Sequence, residues 1–133
     1  MIGLDTNIIL RFLLTDDPKQ AIPVRKLFQA LTAERPGWIS TTTMVEIEWV
    51  LTGKSMPRGT VAQLLTILLS MDTLIVDQRG TVAEAVQQFR SGRADFADCL
   101  ISAAARAAGC SEVMTFDRVA ARDAGMRLLT ETV

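Results

Sequence analysis

At 133 residues the chain is long enough to bury one hydrophobic core unaided, and with 49% hydrophobic residues, eight glycines and four prolines it is neither disordered nor linker-rich. Histidine and tyrosine are absent, which removes the commonest general base, the commonest zinc ligand and most triad chemistries together, so any catalysis must rest on carboxylates. A net charge of -1 gives no global basic signature for a polyanionic partner, although arginines outnumber lysines 11 to 3 and arginine is the better bidentate phosphate ligand.

Residues 1–4 form a short apolar run ending in Asp5, and helical apolar spacing follows over 6–14 through Ile8, Ile9, Phe12 and Leu13. Asp16, Asp17 and Pro18 predict the cap and first turn of a second helix through Leu27, Phe28 and Leu31, with Pro23 tolerable only near its start; residues 34–37 close it. Residues 38–40 read as a strand, and Thr41 to Thr43 offer caps to a helix through Met44, Val45, Ile47, Val50 and Leu51. After a loop at 53–57, a helix over 58–71 leads to a β-branched strand at 73–76 and a helix over 81–90, broken by Ser91 and Gly92. The strongest helical pattern spans 95–108 and is closed by Gly109. A strand at 113–116 and a last helix over 117–124 follow.

Short apolar strands alternating with helices predict a single α/β domain over 1–133, a three-layer α/β/α sandwich around a central, mainly parallel sheet. The run IILRFLL is broken by Arg11 and stopped by Asp16 and Asp17, no basic leader precedes it, and nothing approaches the roughly 20 apolar residues that cross a bilayer. A cytoplasmic protein with no membrane contact is expected. Cys99 and Cys110 belong to no CxxC or Cys/His cluster and read as reduced thiols.

In parallel sheets ligands gather beyond the carboxyl ends of the strands, and there the sequence is acidic. Asp5 follows the first strand, Asp117 a late one, and Glu46 and Asp98 fall in the early turns of helices. Asp5, Asp95 and Asp117 also have the plain reading of helix caps. Asp98 lines up with Ile101 and Ala105, a stripe expected to face the sheet, whereas Asp95 lines up with Cys99, Ser102 and Arg106, so Asp98 is taken as the inward acid. Glu46 and Glu48 both have apolar neighbours at helical spacing, and periodicity does not choose between them. Converging acids without nearby lysine favour a hard cation, Mg²⁺ or Mn²⁺.

Four segments, DTN at 5–7, TTTMVEIEWVL around Glu46, ADFADCLISAAA around Asp98 and MTFDR around Asp117, resemble in order and spacing the PIN-domain ribonucleases, especially the VapC-type toxins. The resemblance implies that Asp5, Glu46, Asp98 and Asp117 carry the metal site, with Asp95 as accessory acid and Thr6, Asn7 and Thr115 as polar supports. It is the family pattern that selects Glu46. It also implies an RNA substrate, a cognate antitoxin protein and a homodimer. The expected reaction is hydrolysis of single-stranded or loop RNA by metal-activated water, leaving a 5′-phosphate and a 3′-hydroxyl. Arg11, Arg93 and Arg118 stand within a few residues of these acids and are the candidates for flanking phosphates.

Three rivals stand beside this reading. A phosphatase of the haloacid-dehalogenase type expects D-x-D, where this chain has Asn7, and a late lysine, where none follows Lys54. A receiver-like signalling domain with Asp5 as phosphoryl acceptor expects the same lysine. A non-catalytic α/β interaction module would need the acids only as caps.

Overall fold

The structure, a computed structural model, describes residues 1–15 and 17–130. Asp16, expected in the second helix cap, lies outside the described residues. The backbone forms two compact units, Met1–Arg79 and Gly80–Val133.

The first unit holds β1 (Ile2–Gly3), α1 (Thr6–Leu14), α2 (Pro18–Ala30), β2 (Gly37–Ile39), α3 (Thr41–Gly53), α4 (Arg58–Ser70) and β3 (Leu74–Val76). Its strands form one parallel sheet in the order β1-β2-β3, with Ile2 opposite Gly37 and Gly37 opposite Leu74. Gly37, expected among the residues that close the second helix, opens the middle strand, where the sheet is packed tightly over it. A Cβ there would lie 2.6 Å from Leu4 Cδ1, 3.0 Å from Leu74 Cδ2 and 3.1 Å from Leu31 Cδ1.

Helix starts follow local chemistry. Asp17 caps α2 by accepting from the Lys19 N–H at 3.0 Å, and Pro18 takes the first helical position, where its missing N–H costs nothing. Pro23 sits in the second turn, where a proline leaves the carbonyl four residues back without its usual donor. The cap of α3 is Ser40, one residue before the threonines expected to serve. Its backbone is still extended, and its Oγ accepts from the Thr43 N–H at 3.0 Å. Ile9, Leu10, Ile39, Met44, Ile47, Leu51, Val61, Leu65, Leu68, Leu74 and Val76 are buried between these helices and the sheet. Each such side chain contributes roughly 1.5–3 kcal/mol by leaving water.

The second unit holds α5 (Arg79–Ser91, its first residue belonging to the first unit), α6 (Phe96–Ala107), β4 (Met114–Thr115), α7 (Arg118–Asp123) and β5 (Arg127–Leu128). Strands β4 and β5 pair in parallel, with Met114 opposite Arg127. Val82, Ala85, Val86, Phe89, Phe96, Cys99 and Ala103 are buried, and the Phe89 and Phe96 rings meet edge to face at 5.9 Å. Gly109 and Gly125 adopt the left-handed conformation, φ 94° and 69°, that lets the chain leave α6 and α7. Every paired strand is parallel, so the α/β class read from the sequence is the class observed. No helix of the described residues is long and apolar enough to cross a membrane.

Candidate metal and nucleic-acid site

Parallel strands bring their carboxyl ends to one edge, and in the first unit Asp5, Ser40 and Asp77 follow β1, β2 and β3 there. Asp5 is exposed. Its Oδ1 accepts from the adjacent Thr6 N–H at 2.8 Å, whereas a full cap reaches the second or third helical N–H. The Thr6 side chain is buried, yet its Oγ1 has no hydrogen-bond partner among the described residues. A buried hydroxyl beside a carboxylate is stable only if something polar reaches it, such as an ordered water.

Glu46 stands on α3, whose buried face is Thr43, Met44, Ile47, Glu48 and Leu51. Glu46 is exposed while Glu48 is only 8% exposed, a difference that sequence periodicity did not resolve. Asn7 and Arg11 line a cleft between α1 and α2 with Ile8, Gln20, Pro23, Val24 and Leu27. There the Arg11 Nε donates to Gln20 Oε1 at 2.5 Å.

In the second unit Asp95 occupies the cap position of α6, but its side chain makes no capping hydrogen bond. Asp98 lies in the first turn of that helix and is half-buried, where Asp95 is exposed. The ranking of Asp98 as the more inward acid therefore holds, but the reason offered for it fails. Ile101 is 53% exposed, and the buried face of α6 is Phe96, Cys99, Ser102 and Ala103, the stripe assigned to Asp95. Burial first, then the charges of Asp95 and Asp117, raise the Asp98 carboxyl above its ordinary 3.8. The three acids thus share one negative field.

Asp117 caps α7 fully, its Oδ1 accepting from Val119 N–H at 2.8 Å and Ala120 N–H at 3.0 Å. Its own N–H donates to Thr115 Oγ1 at 3.0 Å. Arg118 is exposed as the first residue of α7. Arg93 is exposed, and its backbone N–H donates to Asp123 Oδ2 at 2.9 Å beside Ser91, Gly92 and Arg122. Hydrogen bonding from Arg122 holds the Asp123 carboxyl below its ordinary value. That ion pair was not foreseen from the sequence.

Among the described residues no three acids or cysteines are grouped closely enough to cage a bare ion. Mg²⁺ does not require such a cage, because it keeps most of its waters and binds through one or two carboxylates. Carboxylate oxygens unaccompanied by histidine suit a hydrated hard cation. They suit zinc poorly, since the chain has no histidine and Cys99 is buried in the α6 core face.

Parallel strands, flanking helices and carboxylates at strand ends and helix starts define an α/β domain whose polar chemistry is carried by acids. The chain belongs to the PIN domain family, which it matches over residues 2–125. PIN domains are generally nucleases, hydrolases that use divalent metal ions and act on RNA or other nucleic acids. No curated protein and no solved structure shows significant similarity to the chain.

Proposed function

We propose that the chain is a Mg²⁺-dependent endoribonuclease that hydrolyses single-stranded or loop RNA, and that it is the VapC-type toxin of a type II toxin–antitoxin pair. The observation that carries this reading is that four acidic motifs stand in family order and spacing inside the family match at 2–125. Asp5, Glu46, Asp98 and Asp117 hold the metal, Asp95 is an accessory acid, and Mn²⁺ can replace Mg²⁺. When bound, the cation supplies an acidified water and offsets charge on the phosphate oxygens.

The chain's own groups do the rest. The Val119 and Ala120 N–H groups both donate to Asp117 Oδ1, which orients the carboxylate and leaves Oδ2 for a ligand. Asp98, disfavoured as an anion first by burial and then by the charges of Asp95 and Asp117, is relieved by a cation. Thr6, Asn7 and Thr115 support the carboxylates, and Arg11, Arg93 and Arg118 meet flanking phosphates. One PIN domain spans 1–133. The partners are RNA, an antitoxin protein and a second copy of the chain in the cytoplasm. Exposed apolar side chains such as Trp49, 76% accessible, are of the kind that protein partners cover.

Purified protein incubated with structured RNA, with and without Mg²⁺ and beside an Asp5→Ala control, tests the nuclease. Metal-dependent cleavage lost in the control is expected; equal cleavage by both proteins sinks it. Growth arrest on expression, relieved by Asp98→Ala, tests the toxin role.

A further inference from the structure

The strand expected over 113–116 ends one residue early, at Thr115, and Phe116 projects into solvent with 81% of its surface accessible. Its backbone is not a loose loop. The Thr115 carbonyl accepts from Leu129 N–H at 2.8 Å, Thr115 Oγ1 accepts from Asp117 N–H at 3.0 Å, and Asp117 is tied to the first turn of α7. An aromatic ring is therefore held out in water on a fixed turn, adjacent in sequence to an acid of the metal set. Arg118, also exposed, follows that acid.

We propose that Phe116 stacks on an unpaired nucleobase of the RNA beside the phosphate being cut, with Arg118 meeting the adjoining backbone; this rests on the nuclease reading of Asp117. A ring for the base face and a guanidinium for the phosphate are the two elements by which proteins grip single strands. Charge separates this occupant from a protein partner. The centre of a protein–protein interface is depleted of charged side chains, whereas Phe116 is flanked directly by Asp117 and by the exposed Arg118, whose guanidinium suits a phosphate. Because the ring contributes little to the core, its removal leaves the fold standing.

The test is binding of a fluorescent single-stranded oligoribonucleotide without metal, which does not depend on cleavage. Phe116→Ala is expected to bind about tenfold more weakly, the effect of one lost base stack, with Phe116→Leu equally weak and Phe116→Tyr and Phe116→Trp within about twofold of the parent. An abasic residue scanned along the strand should, at one position, cost the parent the same tenfold and cost Phe116→Ala nothing more. Full binding by Phe116→Leu, or losses that add at every position, overturns the stack. A parent that sediments as a dimer while Phe116→Ala sediments as a monomer makes the ring a protein contact and also overturns it. If the parent neither binds nor cleaves RNA, the nuclease reading itself has failed; if it cleaves but shows no ring–base coupling, only the stack has.

Discussion

Asp117 separates the two roles that an acid at a helix start can play, because asparagine performs one of them and not the other. The carboxylate accepts two backbone N–H bonds, at 2.8 and 3.0 Å, so Asp117→Ala removes the cap of α7. Loss of such a cap costs about 1 kcal/mol, which in a chain of this size lowers the unfolding midpoint by roughly 3–5 °C. Asp117→Asn keeps an oxygen that accepts the same two bonds, and its midpoint should stay within about 1 °C of the parent's. Activity should divide differently. The metal supplies several kcal/mol to the reaction and each ~1.4 kcal/mol is tenfold in rate, so both variants should lose at least about a hundredfold in Mg²⁺-dependent cleavage. Differential scanning calorimetry and cleavage of a labelled RNA, run on all three proteins, give the comparison. An Asp117→Asn protein that keeps full activity would mean that the residue is a cap and nothing more.

Asp98 carries a pH signature. Its folded carboxyl lies above the ordinary 3.8, so between those two values the native state holds the proton more tightly than the unfolded chain, and stability of the metal-free protein falls as pH rises through that window. Asp98→Asn should remove that slope and unfold at a higher temperature at neutral pH, and a lower one refutes the repulsion. Glu46→Gln changes an exposed side chain and should shift stability by less than about 0.5 kcal/mol while abolishing metal-dependent cleavage; Glu48→Ala, at a buried position, should cost about 1–3 kcal/mol in urea unfolding. Reversal of that pattern would exchange the two roles. Gly37→Ala forces a Cβ to within 2.6 Å of Leu4 Cδ1 and should destabilise by about 1–3 kcal/mol with cleavage retained; an unchanged urea midpoint would mean that the leucines give way freely.

The helices were legible because their punctuation is local. Pro18 at a first turn, Gly109 past a last one and the apolar spacing between them act within a few residues, and the helices of the described residues start close to where they are predicted. Gly37 was misread because its reason is not local. Glycine after Glu34, Arg35 and Pro36 looks like a turn from the sequence, and only the leucines arriving from Leu4, Leu31 and Leu74 explain why the central strand needs it. Ser40 was passed over as the cap of α3 for a related reason, since three threonines follow it and only backbone conformation shows where the helix begins.

Among the acids, composition and motif order single out the candidates, but their surroundings lie in hydrogen bonds that spacing does not encode. Three aspartates shared the plain reading of caps, and the structure divides them: Asp117 makes a full cap, Asp5 reaches only its neighbour's N–H, and Asp95 makes no capping bond. Capping thus accounts fully for Asp117, in part for Asp5 and not for Asp95. Capping and metal binding are also compatible at Asp117, because both N–H bonds go to Oδ1, and a carboxylate already oriented loses less entropy on meeting a cation. A cap therefore does not count against a ligand, and the decisive comparison is the one that keeps the cap and removes the charge.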